Sequence, residues 1–150
     1  MEVRPVTNED MEKVLALGAA MWKESPTFSS HPLDLDKFRN LGNLCIGEPL
    51  FMGLVAVHDM EVVGFWGGSI QSFWYSDDTI VRDYVFYVTP KHRGSSAAYR
   101  LIKAAELWAL NSGVSHISIG LSSAVDTDKT SCFFKKMGYT HNVTILDKRL

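Results

Sequence analysis

The sequence predicts an α/β chain of the α+β kind, with a mixed, mostly antiparallel sheet flanked by about four helices. Three features predict it. Two long β-prone runs in the middle, Phe51 to Val57 and Glu61 to Phe73, are separated by the short turn segment His58-Asp59-Met60, a hairpin signal. Apolar stripes at helical spacing stand on both sides of that hairpin. The later half alternates strand and helix, which implies some parallel pairing.

Val3 to Val6 reads as a short strand. Thr7 and Asn8 offer helix-capping oxygens, with Glu9 and Asp10 in the first turn. Met11, Val14, Leu15, Gly18, Met21 and Trp22 then recur at helical spacing, and Pro26 stops the helix. Asp34 caps a short second helix through Leu35, Phe38 and Leu41, with Gly42, Gly47 and Pro49 breaking it up. Gly64, Gly67 and Gly68 inside the second β run suggest a bulge or a close backbone approach.

Ser76 to Asp78 reads as the next turn and Thr79 to Val88 as a third long strand. The following helix carries Ala98, Leu101, Ile102, Ala105, Trp108 and Ala109 on one face, with Gly113 as its stop. His116 to Ile119 is a short strand. Asp126 or Thr127 caps a helix that turns Phe133, Phe134 and Met137 inward and ends at Gly138. Tyr139 to Leu146 reads as the last strand. The order is β-α-α-β-β-β-α-β-α-β in one domain, residues 1–150.

Composition narrows the function classes. The chain has 150 residues, 46% hydrophobic and 21% charged, as a folded globular domain requires. Its formal net charge of −2 lacks the basic excess of a nucleic-acid binder. No apolar run approaches the ~18 residues of a membrane span. Cys45 and Cys132 form no CxxC pair, and the five histidines are scattered, so no metal site is expected. With no secretory signal at the start, a cytoplasmic setting is the simplest expectation.

The stretch Tyr84-Val85-Phe86-Tyr87-Val88-Thr89-Pro90-Lys91-His92-Arg93-Gly94-Ser95-Ser96-Ala97-Ala98 carries the most chemistry. A strand runs into a turn of small residues that opens a helix. The first amides of a helix lack internal partners and carry partial positive charge. Small side chains from Gly94 to Ala98 let an anion approach them, and Arg93 adds a full charge and a forked donor. Such a turn suits a pyrophosphate. It also fits an ordinary strand-to-helix connection with a solvent-facing Arg. No GxxxxGK[ST] or early GxGxxG is present, which disfavours a nucleotide hydrolase or a dinucleotide fold.

At this turn the chain resembles the GCN5-related N-acetyltransferase (GNAT) family, whose motif there is Arg or Gln, two residues, Gly, one residue, then Gly or Ala. Arg93, Ser96 and Ala98 hold the named positions, with Ser96 departing from Gly. The stretch from Arg93 onward looks most like acetyltransferases encoded by tailed phages, which would place the protein in a host cytoplasm. The resemblance implies a central sheet of six to seven strands, splayed between the fourth and fifth, with acetyl-CoA in the opening as co-substrate. It implies that backbone groups of Phe86, Tyr87 and Val88 meet the pantetheine arm and acetyl carbonyl. Arg93, Gly94, Ser95, Ser96, Ala97 and Ala98 would hold the pyrophosphate, and Thr127, Thr130 and Phe134 would lie beside the arm.

Direct transfer to an amine needs a base, and Asp83 on the third long strand is the first candidate, ahead of Tyr84, Glu61 and His116. An unassisted solvent-facing carboxylate is the other reading of Asp83. The family's usual acid, a Tyr in the helix before the final Gly-aromatic pair, is replaced by Phe134. Either the thiolate leaves unaided or Tyr139, Tyr87 or Cys132 serves. A GNAT-fold module that binds CoA or a protein partner without turnover is the alternative. The acceptor is expected to be a small-molecule or protein amine. Ser25 to Pro32 and Phe65, Trp66, Phe73, Trp74 and Tyr75 are candidate walls, although hairpin and core packing also accounts for the aromatics. Glu24, Asp34 and Asp36 could attract a cation. Aromatic edge strands make a homodimer plausible.

Overall fold

The structure, a computed structural model, describes all 150 residues. Strand β1 (Glu2–Pro5) leads through a capping turn into helix α1 (Met11–Glu24), and α2 (Leu35–Gly47) follows. The strands β2 (Phe51–His58), β3 (Glu61–Phe73) and β4 (Ser76–Val88) form an antiparallel meander. Then come α3 (Ala97–Asn111), the two-residue β5 (Ile117–Ser118) and α4 (Thr127–Lys136). The sheet order is β1-β2-β3-β4-β5, and only the β4–β5 pair is parallel.

Strand alternation splits the core across the sheet. Leu54, Ala56, Trp66, Val81 and Val88 pack with Leu101, Ile102, Ala105 and Phe134 of α3 and α4. Val55, Phe65 and Tyr87 pack with Val14, Leu17 and Met21 of α1 on the other face. No helix is long and apolar enough to cross a membrane.

Five expectations need correction. The sheet has five strands, not six to seven. The segment expected as a last strand, from Tyr139 to Leu146, lies outside it, because a strand needs an edge to pair with and β5 offers two residues. Its Val143, Ile145 and Leu146 are exposed. The β3–β4 turn falls at Trp74 and Tyr75, one step before the predicted Ser76 to Asp78, since Phe73 already pairs with Ser76. Gly42 does not break α2. It lies inside the helix where a Cβ would meet Met11 Sδ at 2.9 Å, so it is a close-packing glycine. Finally, Phe65 and Trp66 are only 3% and 1% exposed and belong to the core, so neither is a wall of an acceptor site.

The expected cap of α2 is present: Asp34 accepts from the Lys37 amide at 3.1 Å. The glycines of β3 mark close approach and a bulge, as their sequence suggests. Gly67 pairs with Val85 and Gly68 with Asp83, leaving Tyr84 as the extra residue on β4. A Cβ on Gly68 would stand 2.6 Å from the Arg82 carbonyl and 2.6 Å from Trp66 Cη2.

Candidate active site

The site begins with the two flanks of β4. On one flank, ten residue pairs join it to β3. On the other, Val81 and Arg82 pair with Ile117 and Ser118, and the ladder stops there. From Asp83 to Val88 the second flank is open. The Asp83 carboxylate sits where the strands part, accepting from the Gly120 amide at 2.8 Å.

The bulge sets what the open flank presents. The Val81 amide donates to His116 on the β5 side, and the Thr89 amide donates to Val63 on the β3 side. Amides alternate along a strand, so those of Phe86 and Val88 point to the open flank. The extra residue at Tyr84 shifts the phase that brings them there. The Val88 carbonyl is already taken by Arg93 Nε at 3.1 Å.

Beyond Val88, the turn Pro90–His92 leads into α3. Gly94 takes φ +81, a left-handed conformation that glycine adopts without steric cost. Ser95 Oγ accepts from the Ala97 amide, while the amides of Gly94, Ser96, Ala98 and Tyr99 are given to no protein acceptor. They stand at the mouth of the opened pair. An extended chain along β4 that ends in a diphosphate on this turn therefore fits the donors present.

Arg93 is placed differently from the sequence expectation. Its guanidinium forms a two-pronged pair with Glu24 at the end of α1, with Nη2 to Oε2 at 2.7 Å, and lies 5.6 Å from the centre of the Tyr87 ring. Tyr87 also donates to Glu24, at 3.1 Å. Arg93 holds the Glu24 carboxyl below its ordinary pKa, and burial with the Glu24 charge lifts that of Tyr87. With Arg93 paired to Glu24, the donors that the turn leaves without a protein partner are backbone amides. Sequence reasoning missed Glu24 in this role because its partner lies 69 residues away.

Burial pushes the Asp83 carboxyl up to about 6, against the opposing Gly120 hydrogen bond. It is ionised at neutral pH yet basic enough to take a proton. Tyr139 donates to Glu106 at 3.0 Å, and burial raises its pKa well above the ordinary phenol value. Phe134 packs between Phe86, Phe133 and Tyr139 at ring separations of 5.9, 5.1 and 5.2 Å. Thr130 bonds back to the Asp126 carbonyl within its own helix, and Thr127 is exposed in the first turn of α4. Tyr84 is tied to Ser69 and Gln71. Trp74 and Tyr75 are exposed at the hairpin tip, away from the opening, with Tyr75 against Phe73.

A parallel pair opened beside a turn of free amides is the architecture of an acyl-coenzyme A transferase. Residues 50–141 match the family model described as the acetyltransferase (GNAT) domain. The chain is 24% identical to an aminoglycoside N(6′)-acetyltransferase type 1 of Acinetobacter haemolyticus, covering all of this chain and 99% of that one. Its fold resembles that of AAC(6′)-Iy in complex with a CoA-containing bisubstrate analogue, with a TM-score of 0.75, 20% identity and coverage of 99% and 98% of the two chains. It also resembles a ribosomal-protein-alanine N-acetyltransferase of Brucella melitensis, with a TM-score of 0.74, 15% identity and full coverage of both chains. The chain belongs to the GNAT acetyltransferase family, and it is an acetyl-CoA-dependent enzyme that transfers the acetyl group to an amine.

Proposed function

We propose that the acceptor is a primary amine on a polycationic small molecule of the aminoglycoside kind, and that Asp83 is the base that deprotonates it. The observation that carries the reading is the open flank of β4 between Asp83 and Val88, continuous with the free amides after Gly94. Acetyl-CoA supplies the activated acetyl group. The amides of Phe86 and Val88 bind its extended arm as a neighbouring strand would, and one of them faces the carbonyl oxygen where charge develops. The turn from Gly94 to Ala98 holds the diphosphate.

Asp83 Oδ1 is engaged by Gly120, which leaves Oδ2 to accept the proton. Phe134 cannot protonate a leaving thiolate, and the Tyr139 hydroxyl is engaged as a hydrogen-bond donor to Glu106. A thiol pKa of ~8.5 makes unaided departure workable. Holding both reactants in register supplies much of the remaining rate enhancement. The curated relative and several structural neighbours are aminoglycoside acetyltransferases by name, which supports the acceptor class. We assign the protein a homodimeric state, supported by the exposed, unpaired Val143, Ile145 and Leu146, and light scattering in solution checks it.

The test is thiol release from acetyl-CoA with three acceptors: an aminoglycoside bearing a 6′-amine, spermidine, and a peptide with N-terminal alanine. The expected order places the aminoglycoside first by at least tenfold in kcat/KM. Preference for the peptide would overturn the acceptor assignment and leave the transferase chemistry standing.

A further inference from the structure

We infer that Glu24 and Ser25, consecutive residues where α1 ends, form a clasp on both banks of the coenzyme opening and act as positioning residues for acetyl-CoA. The inference rests on the reading of that opening given above, and extends it to residues on the opposite face of the sheet.

One bank is β4 and the turn that follows it. Glu24 holds this bank through both carboxylate oxygens on the Arg93 guanidinium and through the Tyr87 hydroxyl. Arg93 in turn fixes the end of β4 by donating Nε to the Val88 carbonyl. The other bank is β5 and the segment that climbs from Gly120 to α4. Ser25 holds this bank by donating Oγ–H to the Ser123 carbonyl, and the same oxygen accepts from the Phe28 amide at 3.0 Å. Ser25 is completely buried.

Apart from the packing of Phe86 of β4 against Phe134 of α4, the two banks share few direct links along the opening. The strand ladder between them ends at Arg82 and Ser118, and Asp83 to Gly120 is the next link. The segment after Gly120 has no regular structure and carries left-handed backbone at Ala124 (φ 54) and Asp126 (φ 44). Such residues keep these conformations only when the surroundings impose them. The Ser25 bond is an anchor of that kind. Because Glu24 and Ser25 share one peptide bond, the end of α1 sets the spacing of the two banks where the ladder no longer does.

A ligand threaded between the banks should therefore feel the clasp in its binding and not in the proton-transfer step. The test compares wild type, E24Q, S25A and S25C, with E12Q on the exposed face of α1 as control. The readouts are KM for acetyl-CoA, kcat, and the melting-temperature shift caused by free CoA. Cysteine fills the site with a slightly larger atom and a weaker donor, so S25C serves if S25A fails to fold. Loss of the charge-assisted Glu24–Arg93 contact predicts a KM rise of about tenfold in E24Q, and loss of the neutral Ser25–Ser123 hydrogen bond a rise of about fivefold in S25A or S25C. The CoA-induced melting shift should shrink in step, while kcat stays within about twofold of wild type. Amide exchange without ligand should quicken at Gly94 to Ser96 in E24Q and at Ser122 to Val125 in the Ser25 variants. Unchanged KM in both variants, or a kcat loss at constant KM, overturns the clasp. Failure of CoA to shift the wild-type melting temperature overturns the reading of the opening itself, and the clasp with it.

Discussion

The two flanks of β4 meet opposite fates from the same thirteen residues. Toward β3 the strand is sealed by ten pairs, with glycines in β3 letting the backbones and the Trp66 ring close over one another. Toward β5 it pairs twice and then stands open. In the proposed reading, the difference teaches where the chemistry lies. Backbone donors that one flank spends on stability are left without a strand partner on the other, and the bulge at Tyr84 turns those of Phe86 and Val88 toward that side. The sealed flank is intolerant of added atoms. The open flank is held by Asp83 of β4 itself and, from outside the sheet, by Glu24 and Ser25.

The largest expected effect is at the junction of the two flanks. D83N should lower kcat/KM by about 10²–10⁴, the usual contribution of a positioned base. In the wild type, kcat/KM should rise with pH and level off above about 6, where Asp83 is ionised. Stability should move the other way. Because folding raises this carboxyl from 3.8 to about 6, the folded state holds the proton more tightly. Its contribution is present at acid pH and is lost as pH climbs through about 6. D83N escapes that loss, so at pH 8 it should be more stable than wild type by about 1–2 kcal/mol, read by denaturant titration. An inactive variant that is also less stable at pH 8 would mark Asp83 as structural.

A methyl group on each flank sharpens the contrast. G68A on the sealed flank forces a Cβ against the Arg82 carbonyl and should cost about 1–3 kcal/mol of stability. G94A on the open flank meets nothing within 4 Å, so its expected cost is the left-handed backbone alone, about 1 kcal/mol. Its clearer signature should be a higher KM for acetyl-CoA. Equal stability losses in the two variants would erase the distinction.

The smallest effect belongs to Tyr139. Y139F removes one hydrogen bond to Glu106 and should cost about 1 kcal/mol, with kcat within about threefold. A fall of 100-fold or more would make Tyr139 the acid and remove unaided thiolate departure from the mechanism.

Local chemistry made much of this visible before any coordinates. The strand-turn-helix at Val88 to Ala98, the glycines of β3 and the Asp34 cap are read from neighbours in sequence, because the forces that set them act between neighbours. The stripes of α1 and α3 were legible for the same reason. What stayed hidden depends on distant partners. Tyr139 to Leu146 has strand composition, but whether it pairs depends on the length of β5. Arg93 looks like a free cation until α1 delivers Glu24 from 69 residues away. Ser25 reads as an ordinary loop serine, and only the fold brings Ser123 to it across 98 residues. Gly42 looks like a breaker until Met11 is seen against it.

The direct test of the open flank is amide exchange along β4, measured residue by residue with and without CoA. The amides of Phe86 and Val88 should exchange quickly in the free protein and slow by at least tenfold when CoA is added, with Tyr87 and Thr89 on the sealed side protected throughout. Equal protection of all four without ligand, or no slowing at Phe86 and Val88 when CoA is bound, would contradict the account.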